Sequence, residues 1–208
     1  FGWSMAVYVA VLISGDMSGA HLNPAVTLGL AFSGLFDWIK VAPFIIAQIA
    51  GAMAGATLVY LFFRNHFNIT ATPGTKKACF CTAPAIRKTG SNLFSEIIGT
   101  FVLILAVLLI ALPQLDYNAV SGQKVGMGSL GALPVALVVF SIGLSLGGTT
   151  GYAINPARDL GPRIVHTLLP LPDKDDSDWK YAWIPVLGPV IGAALAAFVY
   201  FLIKCVCI

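Results

Sequence analysis

Six stretches without an acidic or basic side chain, residues 1–15, 17–36, 41–63, 97–115, 125–157 and 181–203, make up most of this 208-residue chain. A helix needs about 20 apolar residues to cross the hydrocarbon of a bilayer, and most of these stretches reach or approach that length. Only 10% of the residues are charged, against roughly 25% in a soluble domain, and they fall mainly between the runs. The expectation is an all-α, polytopic helical membrane protein, a single integral domain over residues 1–208 in the cell membrane. A net charge of +3 with no basic stripe excludes a nucleic-acid partner. There is no nucleophile with a His and acid partner, no metal cluster and no phosphate loop, so neither catalysis nor a cofactor is expected. Cys79/Cys81 and Cys205/Cys207 lack the spacing and the histidines of a zinc site and read as free thiols.

The chain contains one unit twice. Ser18-Gly-Ala-His-Leu-Asn-Pro-Ala-Val-Thr-Leu-Gly29 is answered by Thr150-Gly-Tyr-Ala-Ile-Asn-Pro-Ala-Arg-Asp-Leu-Gly161, and further on Gly51-xxx-Gly55-Ala56 is answered by Gly188-xxx-Gly192-Ala193. The first repeat covers about 1–63 and the second about 93–204, joined by a connection over 64–92. Three spans fit between the two Asn-Pro-Ala sites, near 41–63, 93–112 and 130–148. An odd number turns the second copy upside down, giving inverted repeats whose functional site belongs near the midplane. The paired glycine motifs read as close helix crossings within the wall.

Each Asn-Pro-Ala is followed by too few residues to cross. Residues 24–33 make about 15 Å of helix before Ser33-Gly34, and 156–167 reach only partway before Pro170 and Pro172. Each repeat is thus expected to contribute a re-entrant loop and a half-helix. Phe1 to Ser14 makes about 21 Å, short of the ~30 Å hydrocarbon core, so the chain is expected to begin inside a helix, with upstream sequence and the first span missing.

Asn is a preferred N-cap and Pro suits the first helical position, so Asn23-Pro24-Ala25 and Asn155-Pro156-Ala157 read as helix starts. An Asn whose side-chain oxygen caps its own helix leaves its NH₂ free to donate outward. Each N-terminus also carries roughly +0.5 of an elementary charge. Two such ends facing one pore repel cations and offer donors to a neutral oxygen.

With these units on the page, the chain resembles the aquaporin family of major intrinsic proteins, and within it the glycerol facilitators, over essentially its whole length. The resemblance implies six spans and two half-helices per pore, homotetrameric assembly in the lipid bilayer, and passage of glycerol and water. It also implies that 64–92 and 149–180 are external. The five basic residues of 64–88, with no acid among them, point the other way by the positive-inside rule; the acidic segment 173–178 agrees with the family orientation, which is preferred.

Carried over from the family by position, an aromatic and arginine filter falls on Trp3, Gly143, Tyr152 and Arg158. Water-selective relatives usually have His where Gly143 stands, so the filter is expected to be wider. Arg158 supplies fixed donors and a permanent positive charge. Asp159 resembles the acid that distinguishes glycerol facilitators, acting indirectly through Arg163 at i,i+4. Glu96 either holds a re-entrant loop backbone, as in the family, or sits near a helix start for the macrodipole. His21 either lines the inner half of the pore or satisfies a loop carbonyl, while His66 and His166 read as loop and helix-surface residues. The expected function is a passive channel for glycerol and other small neutral solutes, with water, that excludes ions and protons. A water-selective channel is the alternative. A coupled transporter is disfavoured by the scarcity of titratable groups within the spans.

Overall fold

A computed structural model describes residues 1–111, 114–117, 120–124 and 127–206. Its helices are α1 (Gly2–Ser18), α2 (Pro24–Phe32), α3 (Trp38–Phe62), α4 (Arg64–Ile69), α5 (Pro73–Ala78), α6 (Thr89–Leu109), α7 (Leu133–Ser145), α8 (Pro156–Leu168) and α9 (Ile184–Val206). A 3₁₀ turn over Gly128–Ala132 leads into α7. Among the described residues, four helical segments are long and apolar enough to cross a membrane: Trp38–Phe62, Thr89–Leu109, Gly128–Ser145 and Ile184–Val206. The protein is thus a multi-pass integral membrane protein. The half-helices match the sequence reading to within a residue, whereas α6 starts at Thr89 rather than near 93. Outside the membrane, Gln114–Tyr117 (β1) and Val120–Lys124 (β2) pair antiparallel, a ribbon the sequence reading did not place. Cys79, Cys81 and Cys205 are free thiols; burial pushes that of Cys81 up to about 11, which leaves it inert. Cys207 lies outside the described residues.

The two repeats meet about a pseudo-two-fold axis. α1 packs on α7, α2 on α9, and α8 on α3. Ser4 and Ala136 occupy matching places in α1 and α7, and the Ser4 hydroxyl donates to the Ala136 carbonyl at 2.7 Å. The half-helices use matching glycines to approach their neighbours. A Cβ on Gly29 of α2 would lie 2.6 Å from Ile104 of α6, and one on Gly161 of α8 would lie 2.6 Å from Ala52 of α3. In lipid, such close approach and its dispersion contacts replace the hydrophobic drive available in water. An apolar core of Ala25, Val26, Leu103, Ile104, Val139, Ile142, Ile154, Ala193 and Ala196 fills the space between α2, α6, α7 and α9.

The paired glycine motifs behave differently in the two repeats. Gly188 and Gly192 bring α9 against α6, where added Cβ atoms would lie 2.6 Å from Glu96 Cβ and 2.5 Å from the Ile97 carbonyl oxygen. Gly51 and Gly55 have nothing within 4 Å of the corresponding positions among the described residues, so their expected packing role in the wall is not seen. The difference follows from the partner: α9 has α6 beside it, and α3 has no equivalent among the described helices. Because backbone cannot move aside as a flexible side chain can, Gly192→Ala is expected to lower stability by about 1–3 kcal/mol. Thermal unfolding of the purified protein measures this.

Candidate functional site

The two half-helices start from opposite sides and their caps interlock. Asn23 Oδ1 accepts from the Ala25 N–H at 2.8 Å, and Asn155 Oδ1 accepts from the N–H groups of Ala157 and Arg158 at 3.0 and 3.2 Å. Pro24 and Pro156, at the first helical positions, have no N–H to satisfy. Each amide then donates across the junction: Asn23 Nδ2 to the Ile154 carbonyl and Asn155 Nδ2 to the Leu22 carbonyl, both at 2.9 Å. The sequence reading left both N–H groups of each amide outward. The crosswise bonds commit one of the two, and one donor per Asn remains.

The residues that present those carbonyls are held in an unfavourable conformation. Leu22 and Ile154 have φ of 53° and 42°, and Ala20 and Tyr152 have φ of 48° and 37°, in the left-handed region, where a β-branched residue such as Ile154 is a genuine outlier. Each such residue costs on the order of 1–3 kcal/mol and persists only when its surroundings over-determine it. In the second repeat that constraint is visible: Glu96, fully buried on α6, accepts from the N–H groups of Ala153 and Ile154 at 2.9 and 2.8 Å. In the first repeat the His21 ring packs with those of Phe36 and Phe44, the three centroids lying 4.6 to 5.0 Å from one another. Its Nδ1 meets the Thr27 hydroxyl at 3.0 Å rather than a carbonyl, and Gln48 Nε2 donates to the same hydroxyl at 2.9 Å.

Trp3, Gly143, Tyr152 and Arg158 come from four separate elements, and the structure pairs Arg158 with Trp3 and Tyr152 with Gly143. The Arg158 guanidinium lies over the Trp3 ring, 4.5 Å from its centroid, an arrangement that favours Arg and leaves its N–H edge free for other acceptors. Among the described residues Arg158 forms no ion pair with Asp159. Tyr152 lies against Gly143 of α7 and Gly147 just beyond its end: a Cβ on Gly143 would be 3.1 Å from its ring and hydroxyl, and one on Gly147 2.7 Å from its ring. The room that Gly143 leaves is thus taken by the Tyr152 ring.

Asp159 faces away from this cluster and is fully buried. Its Oδ1 accepts from the Thr82 N–H at 2.9 Å and from Arg163 Nη2 at 2.7 Å, and its Oδ2 accepts from Arg163 Nε at 2.8 Å. Arg163 also donates through Nη1 to the carbonyls of Ser177 and Asp178, and through Nη2 to that of Thr82. All five of its N–H groups have partners. The pair ties α8 to residues 82 and 177–178, and Arg87 continues the link by pairing with the Asp178 carboxylate. His166, read from the sequence as a surface residue, is fully buried, with Nδ1 2.8 Å from the Ser177 hydroxyl. It lies on the face of α8 that the loops cover, which the apolar periodicity of a short helix does not reveal.

The sequence profile of the major intrinsic proteins matches residues 1–200. The chain belongs to that family. It is 55% identical over 199 residues to a glycerol uptake facilitator protein of Streptococcus pneumoniae, covering 96% of this chain and 80% of that one. It is 36% identical over 200 residues to a D/L-lactic acid transporter of Lactiplantibacillus plantarum, covering 94% of this chain and 78% of that one. Among solved structures it resembles the aquaglyceroporin from Plasmodium falciparum, with a TM-score of 0.81 and 31% identity over 96% of this chain and 78% of that one.

Within this major intrinsic protein, sequence reasoning reached both Asn caps, Glu96 and the Asp159/Arg163 spacing. It missed Thr82, Ser177, Thr27 and Gln48, whose contribution is a hydroxyl, an amide or a carbonyl at long range and has no sequence signature. Removing one member of a buried pair leaves an uncompensated charge, so Asp159→Ala is expected to cost about 3–5 kcal/mol. The yield and melting temperature of the detergent-purified protein read this out.

Proposed function

We propose that this protein is a passive channel for glycerol and other small neutral solutes, with water, and that it excludes ions and protons. The observation that carries the reading is the junction of two Asn-capped helix N-termini, each Asn keeping one N–H after its crosswise bond. The names of its relatives, glycerol uptake facilitator, lactic acid transporter and aquaglyceroporin, describe transport and support the same reading.

The mechanism follows from the donors. A hydroxyl oxygen at the junction accepts from Asn23 and Asn155, and its lone pairs are then occupied, so it cannot accept a further proton from a neighbour. The two half-helix ends add positive potential where a cation would have to shed water. At the filter, Arg158 offers donors to successive hydroxyls while the faces of Trp3 and Tyr152 accommodate the apolar edge of a polyol. Glu96 and Asp159 hold the loop and the half-helix that present these groups. The assembly we propose is a homotetramer in the bilayer, one pore per chain.

Swelling of vesicles loaded with the protein tests this. Glycerol flux is expected to follow its own gradient and to ignore imposed pH and sodium gradients; accumulation of labelled glycerol against its gradient would overturn the reading. Asn155→Asp removes a donor and is expected to slow glycerol about tenfold, the equivalent of one lost hydrogen bond of roughly 1.4 kcal/mol. Gly143→His forces the Tyr152 ring aside into the opening. Glycerol flux is expected to fall steeply while water flux survives, and an unchanged glycerol-to-water ratio would remove Gly143 and Tyr152 from the filter.

A further inference from the structure

Away from the Asn-Pro-Ala junction, residues 171–178 lie as a strap along the last turns of α8, with Leu171, Ser177 and Asp178 buried. Cations hold the strap. Lys76 Nζ donates to the Pro172 carbonyl at 2.7 Å, Lys77 pairs with Asp175 at 3.2 Å, Arg87 pairs with Asp178, and Arg163 donates to the carbonyls of Ser177 and Asp178. Lys174 reaches back to the carbonyls of His166, Thr167 and Leu169 at 3.0, 2.8 and 2.8 Å, closing the end of α8. Asp173 and Asp178 have φ of 48° and 54°, a region that residues other than glycine seldom adopt, so docking bends the backbone unfavourably at both ends of the strap.

His166 sits under this strap in the last turns of α8, a helix too short to span. Its side chain is fully buried, its ring centroid is 5.6 Å from that of Phe80, and its Nδ1 is 2.8 Å from the Ser177 hydroxyl. Its Nε2 has no partner among the described residues. A neutral imidazole is served by the Ser177 contact, whereas an imidazolium carries a second N–H that would be buried without an acceptor. The charged groups around the ring are Lys77 of α5, Arg163 of α8, and Lys174 and Asp175 of the strap; burial first, and then the three cations, hold the imidazole below the ordinary histidine value, with Asp175 opposing. That one acid is engaged by Lys77. Farther out, Lys76, Asp159 and Asp178 are tied to Pro172, Arg163 and Arg87, Cys81 is a thiol, and Arg64 and His66 of α4 are exposed.

We infer that His166 makes the strap an acid-released latch: the neutral ring, docked on Ser177, holds residues 171–178 over α8, and its protonation releases the strap so that the imidazolium reaches water. The sign follows from linkage. A ring that is buried neutral and titrates normally once released favours the docked state above a pH of about 6.5, and docking weakens as pH falls below that value. Arg163 gives two of its contacts to the carbonyls of Ser177 and Asp178, so release also takes from α8 part of its brace. The inference is independent of what the pore conducts.

The test is hydrogen–deuterium exchange of the full-length protein in lipid nanodiscs at pH 7.5 and 5.5, each rate corrected for the intrinsic effect of pH. One pH unit below the ordinary histidine value shifts a contact held by a neutral imidazole by about tenfold. Exchange over 171–181 is therefore expected to accelerate about tenfold at pH 5.5 and to recover on return to pH 7.5, while α6 and α9 are unchanged. His166→Asn keeps a polar group near the place of Nδ1 but cannot be protonated, and is expected to remove the acceleration. Ser177→Ala removes the dock and is expected to speed exchange already at pH 7.5. In the unsubstituted protein, the ¹⁵N shifts of the His166 ring are expected to stay those of a neutral imidazole until strap exchange accelerates, which keeps the test open if a variant fails to fold. Strap exchange that ignores pH, acceleration retained in His166→Asn, indifference to Ser177→Ala, or a charged His166 under a docked strap would each overturn the proposal.

Discussion

Two helix N-termini meeting inside a bilayer create a problem that apolar side chains cannot solve, because their first N–H groups have no intrahelical acceptor and no bulk water is at hand. The Asn-Pro-Ala unit resolves it locally. Pro removes one donor, the Asn oxygen takes the next, and the Asn amide ties the cap to the opposite loop. Everything else in the fold follows from keeping that junction in place. Gly29 and Gly161 let the half-helices sink against the spans, and the left-handed residues on either side aim Leu22 and Ile154 carbonyls at the opposite amide.

The second repeat shows how such a junction is braced from outside. Glu96 grips the loop before the cap, and Asp159 with Arg163 grips the helix after it. Arg158 is adjacent in sequence to Asp159, so the guanidinium stacked on Trp3 is carried by a turn whose other face is saturated with hydrogen bonds. The filter role we propose for Arg158 needs this kind of fixed support, because a guanidinium on a loose turn would offer its donors in many directions.

Much of this was legible in the sequence for a physical reason: spans, half-helices and caps are local, set by run length, Pro and Asn. The repeat added what no single element could, since two Asn-Pro-Ala units separated by three spans must face each other. What was not legible depends on distant atoms. Neither the bond from Asn23 to the Ile154 carbonyl nor the filling of the Gly143 space by Tyr152 has a signature in spacing. The burial of His166 depends on loops folding over α8. The Gly51/Gly55 motif read the same as Gly188/Gly192, and only the presence of α6 beside α9 separates them.

Glu96 precedes the loop it holds by 57 residues, which sets an order of events during synthesis. When α6 leaves the ribosome and enters the membrane, its carboxylate has no partner, and an acid near the middle of a span costs on the order of 3 kcal/mol. Only after α7 has crossed does the segment carrying Ala153 and Ile154 arrive with two N–H groups to relieve it. The strained turn and the stranded carboxylate thus cancel each other's penalty on meeting. Glu96 and the loop that carries Ala153 and Ile154 thus satisfy each other inside the membrane.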